Sequence, residues 1–234
     1  MNFRKNILEK VIKYKAVFLA LFLISSAVLA SKRFGGDMVT QKPNTPFNEE
    51  KEKTRLTVRK ICQSFIGNNH KFINHNGRRY RNDCSGMVKA VFDTIDIDVF
   101  QRASTARRGA NGVEIIYHSF KEKFWTNHKK KMPRPGDLIL FKNTYDKNKN
   151  GKWDDNFTHV SVVTGVEKNG TIAFIHHVRN GIQRYRMNLD KKKIHKENGV
   201  KFNDYLRRRP KQDKQSEKYL SSNMFYGFLE VLEK

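Results

Sequence analysis

His159-Val-Ser-Val-Val-Thr-Gly-Val-Glu-Lys-Asn-Gly-Thr-Ile-Ala-Phe-Ile-His176 reads as two strands of period two joined by a tight turn. Lys168-Asn169-Gly170 supplies a strong hairpin turn between them. A histidine stands at each outer end, so antiparallel pairing brings His159 and His176 side by side at one edge of a sheet. His176 and His177 point to opposite faces of their strand, so only one of them can share a site with His159.

Working outward, the same period recurs. Pro133-Arg-Pro-Gly-Asp137 is a turn that launches the short buried strand Leu138-Ile-Leu-Phe141. Ile182 to Leu189 alternates as a further strand, and Phe225-Tyr-Gly-Phe-Leu-Glu-Val-Leu232 reads as a closing one. Before Pro133 the period is helical. Val58, Ile61, Cys62 and Phe65 recur at i, i+3, i+4 and i+7, which predicts a helix over Thr54–Ile66 stopped by Gly67. A polar loop rich in Asn, Gly and Arg leads to Asp83-Cys84-Ser85-Gly86, and Met87 to Ile95 gives a second helix with a strongly apolar face. Gly112 to Phe124 is partly helical. Helices followed by an antiparallel sheet make an α+β fold in one domain, 54–234. It carries a basic, polar excursion at about 191–220 that has no clear period.

Before residue 54 the chain changes character. Arg4, Lys5, Lys10, Lys13 and Lys15 precede an apolar run, Ala16 to Ala30, shorter than the roughly 20 residues of a membrane-spanning helix. Val28-Leu29-Ala30 suits cleavage, so residues 1–30 read as a secretory signal; left uncleaved, the segment would act as a membrane anchor. Residues 31–53, with Gly35-Gly36 and two prolines, read as a flexible spacer.

Composition limits the partners. Of 234 residues, 47 are Lys or Arg and 23 are Asp or Glu, a net charge of +24. Removing residues 1–30 takes five basic and one acidic side chain, leaving +20 on the mature chain. Such a charge predicts an anionic partner. Export argues against nucleic acid and for the periplasm, the cell envelope or the outside medium, with peptidoglycan or another anionic envelope polymer as partner. The basic runs Lys129–Lys131, Lys191–Lys193 and Arg207–Arg209 lack the interleaved aromatics of a single-strand groove. Aromatics at 12%, with 17 Phe, exclude global disorder. Two cysteines are too few for a disulfide scaffold or a four-thiolate zinc site, though they could pair with each other.

Cys84 opens a helix, where backbone N–H groups and the positive dipole end favour a thiolate. That suits a nucleophile, provided a histidine lies within reach and a third polar group orients it. His159 and His176 are the candidates.

The ordered series Asp83-Cys84-Ser85-Gly86, Gly136-Asp-Leu-Ile-Leu-Phe141, His159-Val160 and Ile175-His176 resembles the NlpC family of papain-like bacterial cell-wall cysteine peptidases, and more distantly the CHAP amidases. The resemblance covers about residues 55–178. It implies a papain-like fold with a Cys nucleophile, a His base and a polar residue orienting the base, which fall on Cys84, His159 and His176. It implies a hydrolase of amide bonds in peptidoglycan peptides that needs no cofactor for its chemistry. The family's tyrosine before the cysteine motif is replaced by Phe72, with Tyr80 closer to Cys84, and the segment after about 190 has no counterpart. A non-catalytic module binding walls or anionic surfaces on the same fold is the alternative.

Ahead of His159, Asp146, Asn148 and Asn150 stand at positions 1, 3 and 5 of a loop with Gly151 at position 6, the opening of a calcium-binding loop. Lys152 is at position 7. Phe157 occupies position 12 in place of a bidentate Glu, so Asp154 or Asp155 would complete the shell. A polar hairpin tip accounts for the same residues.

Overall fold

The computed structural model describes residues 46–105, 108–208 and 213–232. The signal segment and most of the spacer lie outside them. Helix α1 spans Pro46–Phe65, so it starts eight residues before the expected boundary at 53/54. Its first turns, Glu49-Glu-Lys-Glu-Lys53, have no apolar period but consist of strong helix formers, with Glu49 at the positive end of the dipole. Val58, Ile61, Cys62 and Phe65 are buried. Gly67, at φ 87°, takes the left-handed conformation that ends a helix.

The expected polar loop is instead a hairpin, β1 (Phe72–His75) and β2 (Arg78–Arg81). Asn76 and Gly77 turn it with φ of 48° and 70°, the two positive values a tight hairpin turn requires. Ile73 pairs with Tyr80, and both are buried. Helix α2 (Cys84–Asp93) follows at once, its first turn capped by Asp83, which accepts from the Gly86 N–H at 2.7 Å. Met87, Val88, Ala90, Val91 and Phe92 form its buried face. Helix α3 (Gly112–Phe120) is capped in the same way by Asn111.

The sheet has six antiparallel strands: β3 (Phe124–Trp125), β4 (Leu138–Phe141), β5 (His159–Val166), β6 (Ile172–Val178), β7 (Gly181–Met187) and β10 (Phe225–Leu229). Their order is β3-β10-β4-β5-β6-β7. One face, with Leu138, Leu140, Val160 and Val162, packs on α1 and α2. The other, with Ile139, Phe141, Val163 and Phe174, packs on Leu189, Tyr219 and Met224. The architecture is therefore mixed helix and antiparallel sheet, α+β.

The excursion at 191–220 contributes Tyr219 and Leu206 to that second cover. It contains a small hairpin, β8 (Lys196–Glu197) with β9 (Val200–Lys201), a bridge between Tyr205 and Leu220, and leads into a short helix, α4 (Ser221–Met224). Asn203 holds it, donating to the Lys191 and Ile194 carbonyls at 2.8 Å each and accepting from the Asn188 N–H. Side-chain bonds to backbone replace a ladder here, which is why no period marks the segment.

Arg55, 1% exposed, ties α1 to the sheet. It donates to Asp137 at 2.9 Å and to the Pro135 carbonyl at 2.8 Å, and lies 3.5 Å from Glu230. Glu230 also accepts from Arg134 and Lys131. The basic runs are thus partly structural, for Lys131 belongs to this network and Arg207 donates to the Asn143 carbonyl. Among the described residues no helix is long and apolar enough to cross a membrane.

Candidate active site

Three elements converge on Cys84. Asp83 fixes the first turn of α2, also accepting from Ser85 Oγ and pairing with Arg81. A Cβ on Gly86 would stand 2.1 Å from the Arg81 carbonyl oxygen, so glycine lets the helix sit directly on β2. The backbone N–H groups of Val160, one residue after His159, of Ser85 and of Cys84 itself face the sulfur and favour its thiolate. Cys84 is partly buried and unpaired; Cys62 is buried and also a free thiol, so the two form no disulfide.

The β5–β6 register pairs Val162 with Ile175, which sets His176 diagonally across from His159 on one face. The pairing expected from the hairpin is formed, with His159 Nε2 3.0 Å from His176 Nδ1. The rings meet edge-on at 88°, and Tyr185 packs on His176 with ring centroids 4.0 Å apart. Cys84 and His159 line one cavity of about 800 Å³. His176 does not line that cavity, so it reaches the cysteine side only through His159.

Burial sets the charge state. It pushes the Cys84 thiol up to about 11, against the lowering effect of the hydrogen bonds from Val160, Ser85 and Cys84 N–H. This corrects the expectation of a thiol drawn toward neutrality, because desolvation outweighs the helix terminus. Burial also brings His159 down to about 4, helped by His177, and moves His176 well below the ordinary value. At neutral pH the resting pair is thiol and neutral imidazole.

Two residues on this cavity escaped the sequence reading. His177, passed over because the family resemblance falls on Ile175-His176, faces the cysteine side because alternation turns it away from His176; burial lowers its pKa and Asp83 opposes that. Tyr145 also lines the cavity and lies within electrostatic reach of Cys84. It sits in a loop that has no periodic signal. Tyr80 is on the cavity, but its hydroxyl is engaged with Asp93.

The loop at 146–155 folds around its own oxygens. Asp146 accepts from the N–H groups of Asn150 and Gly151, Asn148 from Asn150, and Asn150 from Lys152. The amides of Asn148 and Asn150 both reach Asp154. Asp155, 6% exposed, closes the loop by accepting from the Lys147 N–H. Among the described residues no group of three or more His, Cys, Asp or Glu could hold a metal ion; the oxygens here come partly from asparagine.

Residues 73–177 match the family model of the CHAP domain. This segment is similar to the CHAP domain. It runs from β1 to the end of β6 and includes Cys84, His159 and His176, while α1, β7, the excursion and β10 lie outside it. CHAP domains are in the papain-like cysteine peptidase and amidase group and are generally hydrolases acting on peptidoglycan. The domain found is the family that the motifs resembled more distantly. No curated protein and no solved structure matches the chain.

Proposed function

We propose that the protein is an exported papain-like cysteine hydrolase that cleaves amide bonds in peptidoglycan peptides. The observation that carries this reading is the His159–His176 hydrogen bond of 3.0 Å, on the strand whose backbone holds the Cys84 sulfur. In the proposed cycle His159 Nε2–H donates to His176 Nδ1, which leaves His159 Nδ1 as the base. It takes the Cys84 proton as sulfur attacks the scissile carbonyl, and the Cys84 N–H at the helix start steadies the oxyanion. The imidazolium then protonates the leaving amine as the C–N bond breaks. Water, giving its proton to His159, attacks the thioester, releasing the acid and restoring the thiol. A neutral pair at rest fits this order, since the proton moves as the attack proceeds.

Residues 1–30 act as the export signal in this reading, and the +20 charge of the mature chain tethers it to an anionic envelope. Calcium is the proposed guest of the loop at 146–155, through Asp146, Asn148, Asn150, the Lys152 carbonyl and Asp154 or Asp155. It would brace the segment that leads into His159. Added calcium should raise the melting temperature of the mature protein, and Asp146→Ala should remove the rise; an unchanged melting temperature would exclude the ion. Release of new amino termini from peptidoglycan by the mature protein, abolished in Cys84→Ala, tests the reading as a whole.

A further inference from the structure

His159 and His177, which line the cavity of Cys84, also border a second cavity that Cys84 does not line. Its volume is about 690 Å³, and His176 lies in its wall, a size suited to a small ligand group. Arg179, at the β6–β7 turn, and Arg207 and Arg208, from the excursion, line it together with Tyr185 and Tyr205. Among the described residues no acidic side chain does. Three arginines without a carboxylate make a wall suited to an anion, which arginine recognises with a planar fork of donors; Arg207 lies over the Trp153 ring and gives one N–H to the Asn143 carbonyl, and its guanidinium has further donors.

An independent observation lies on His176. The residue is 1% exposed, and Nε2, the ring nitrogen away from His159, is buried with no hydrogen-bond partner among the described residues. When His159 Nε2–H donates to His176 Nδ1, the proton of a neutral His176 stands on Nε2. A buried donor without an acceptor is costly; Nε2 has under 1 Å² of accessible surface, so an acceptor entering this cavity reaches it with a small shift of the wall.

We propose that this second cavity binds an anionic group of the substrate, a carboxylate or a phosphate, held by Arg179 and Arg207 and accepting from His176 Nε2–H. The inference rests on the hydrolase reading for the proton order along the histidines. It gives the excursion outside the CHAP domain a task, that of walling a subsite against the catalytic pair. A substrate lying across His159 would then place its scissile amide toward Cys84 and its anion toward the arginines. An anion there would also hold His176 in the tautomer that keeps His159 Nδ1 free.

The test is a titration of the full mature chain, labelled with ¹⁵N-histidine, using glutarate and inorganic phosphate as probes. A saturable shift of the His176 ring nitrogens is expected, with affinity lowered about tenfold or more in Arg179→Gln/Arg207→Gln. Arg179→Gln alone, at an exposed turn, should show part of the loss if Arg207 proves necessary for folding. A response to glutarate alone assigns a peptide carboxylate, one to phosphate alone assigns a wall phosphodiester, and a response to both supports a general anion site. No saturable shift with either probe, or equal affinity in the variants, overturns the site. In parallel, amidating the carboxylates of muropeptides should lower kcat/KM for wild type and have less effect on the double variant. Absence of any Cys84-dependent cleavage would contradict the hydrolase reading, and the titration would then decide the anion site by itself.

Discussion

Nε2 of the partly buried His159 lies 3.0 Å from Nδ1 of the buried His176, with the rings nearly perpendicular. His176 is thus placed to fix the tautomer and orientation of His159 while staying off the cysteine's cavity. His176→Ala should lower kcat about 10²–10⁴-fold with little change in KM. His176→Asn, which keeps an acceptor, should recover part of the loss. Equal kcat in wild type and the alanine variant would remove His176 from the mechanism.

The depressed histidines and the raised thiol give a pH signature. With His159 near 4 and Cys84 near 11, the acid limb of kcat/KM should lie well below the ordinary histidine value of about 6.5. Iodoacetamide should label Cys84 slowly at neutral pH and faster as pH rises toward 11, the two values belonging to the interacting pair. Fast labelling with a plateau at neutral pH would show a thiolate–imidazolium pair at rest instead.

Stability follows the same groups. His159 and His176 are held neutral in the fold, whereas in the unfolded chain they take up protons below about 6.5. The unfolded state therefore binds more protons as pH falls from 6.5 toward 4, and stability declines across that window. Urea denaturation at pH 7 and pH 5 should show a lower midpoint at pH 5, and replacing His176 with Gln should reduce the difference.

Gly86 tests how the nucleophile is positioned. A methyl group there would meet backbone, the Arg81 carbonyl oxygen at 2.1 Å, and backbone cannot rotate aside. Gly86→Ala should cost about 1–3 kcal/mol and displace the first turn of α2, with activity lost beyond the stability change. Wild-type stability and activity in this variant would contradict the close packing.

Arg55 tests the link between α1 and the sheet. Its removal leaves Asp137 and Glu230 buried with one less cation, so Arg55→Ala should destabilise by about 3–5 kcal/mol in urea unfolding. A loss within 0.5 kcal/mol would show that the pairing with Asp137 contributes little.

Much of the site was legible because its residues lie on periodic elements. Strand alternation allowed only one of His176 and His177 to share a site with His159, the family resemblance fell on His176, and the apolar face of Met87 to Phe92 placed Cys84 at a helix start. The β1–β2 hairpin was missed because only Ile73 and Tyr80 are apolar and inward, although Asn76-Gly77 carried the turn signal. The first turns of α1 were taken for spacer because Glu and Lys stabilise a helix through intrinsic preference, without an apolar stripe. The cover formed by the excursion was hidden for a different reason: Asn203 and its neighbours hold backbone through side chains, which leaves no repeat. Burial of Cys84 depends on packing of α2 against β5, so the rise of its thiol could not be read from the helix position alone.

The most direct measurement is mass spectrometry of muropeptides after digestion of purified peptidoglycan by the mature protein and by Cys84→Ala. The account predicts new amino termini from wild type, with water added across an amide bond, and none from a folded Cys84→Ala. Equal release by both proteins would contradict it.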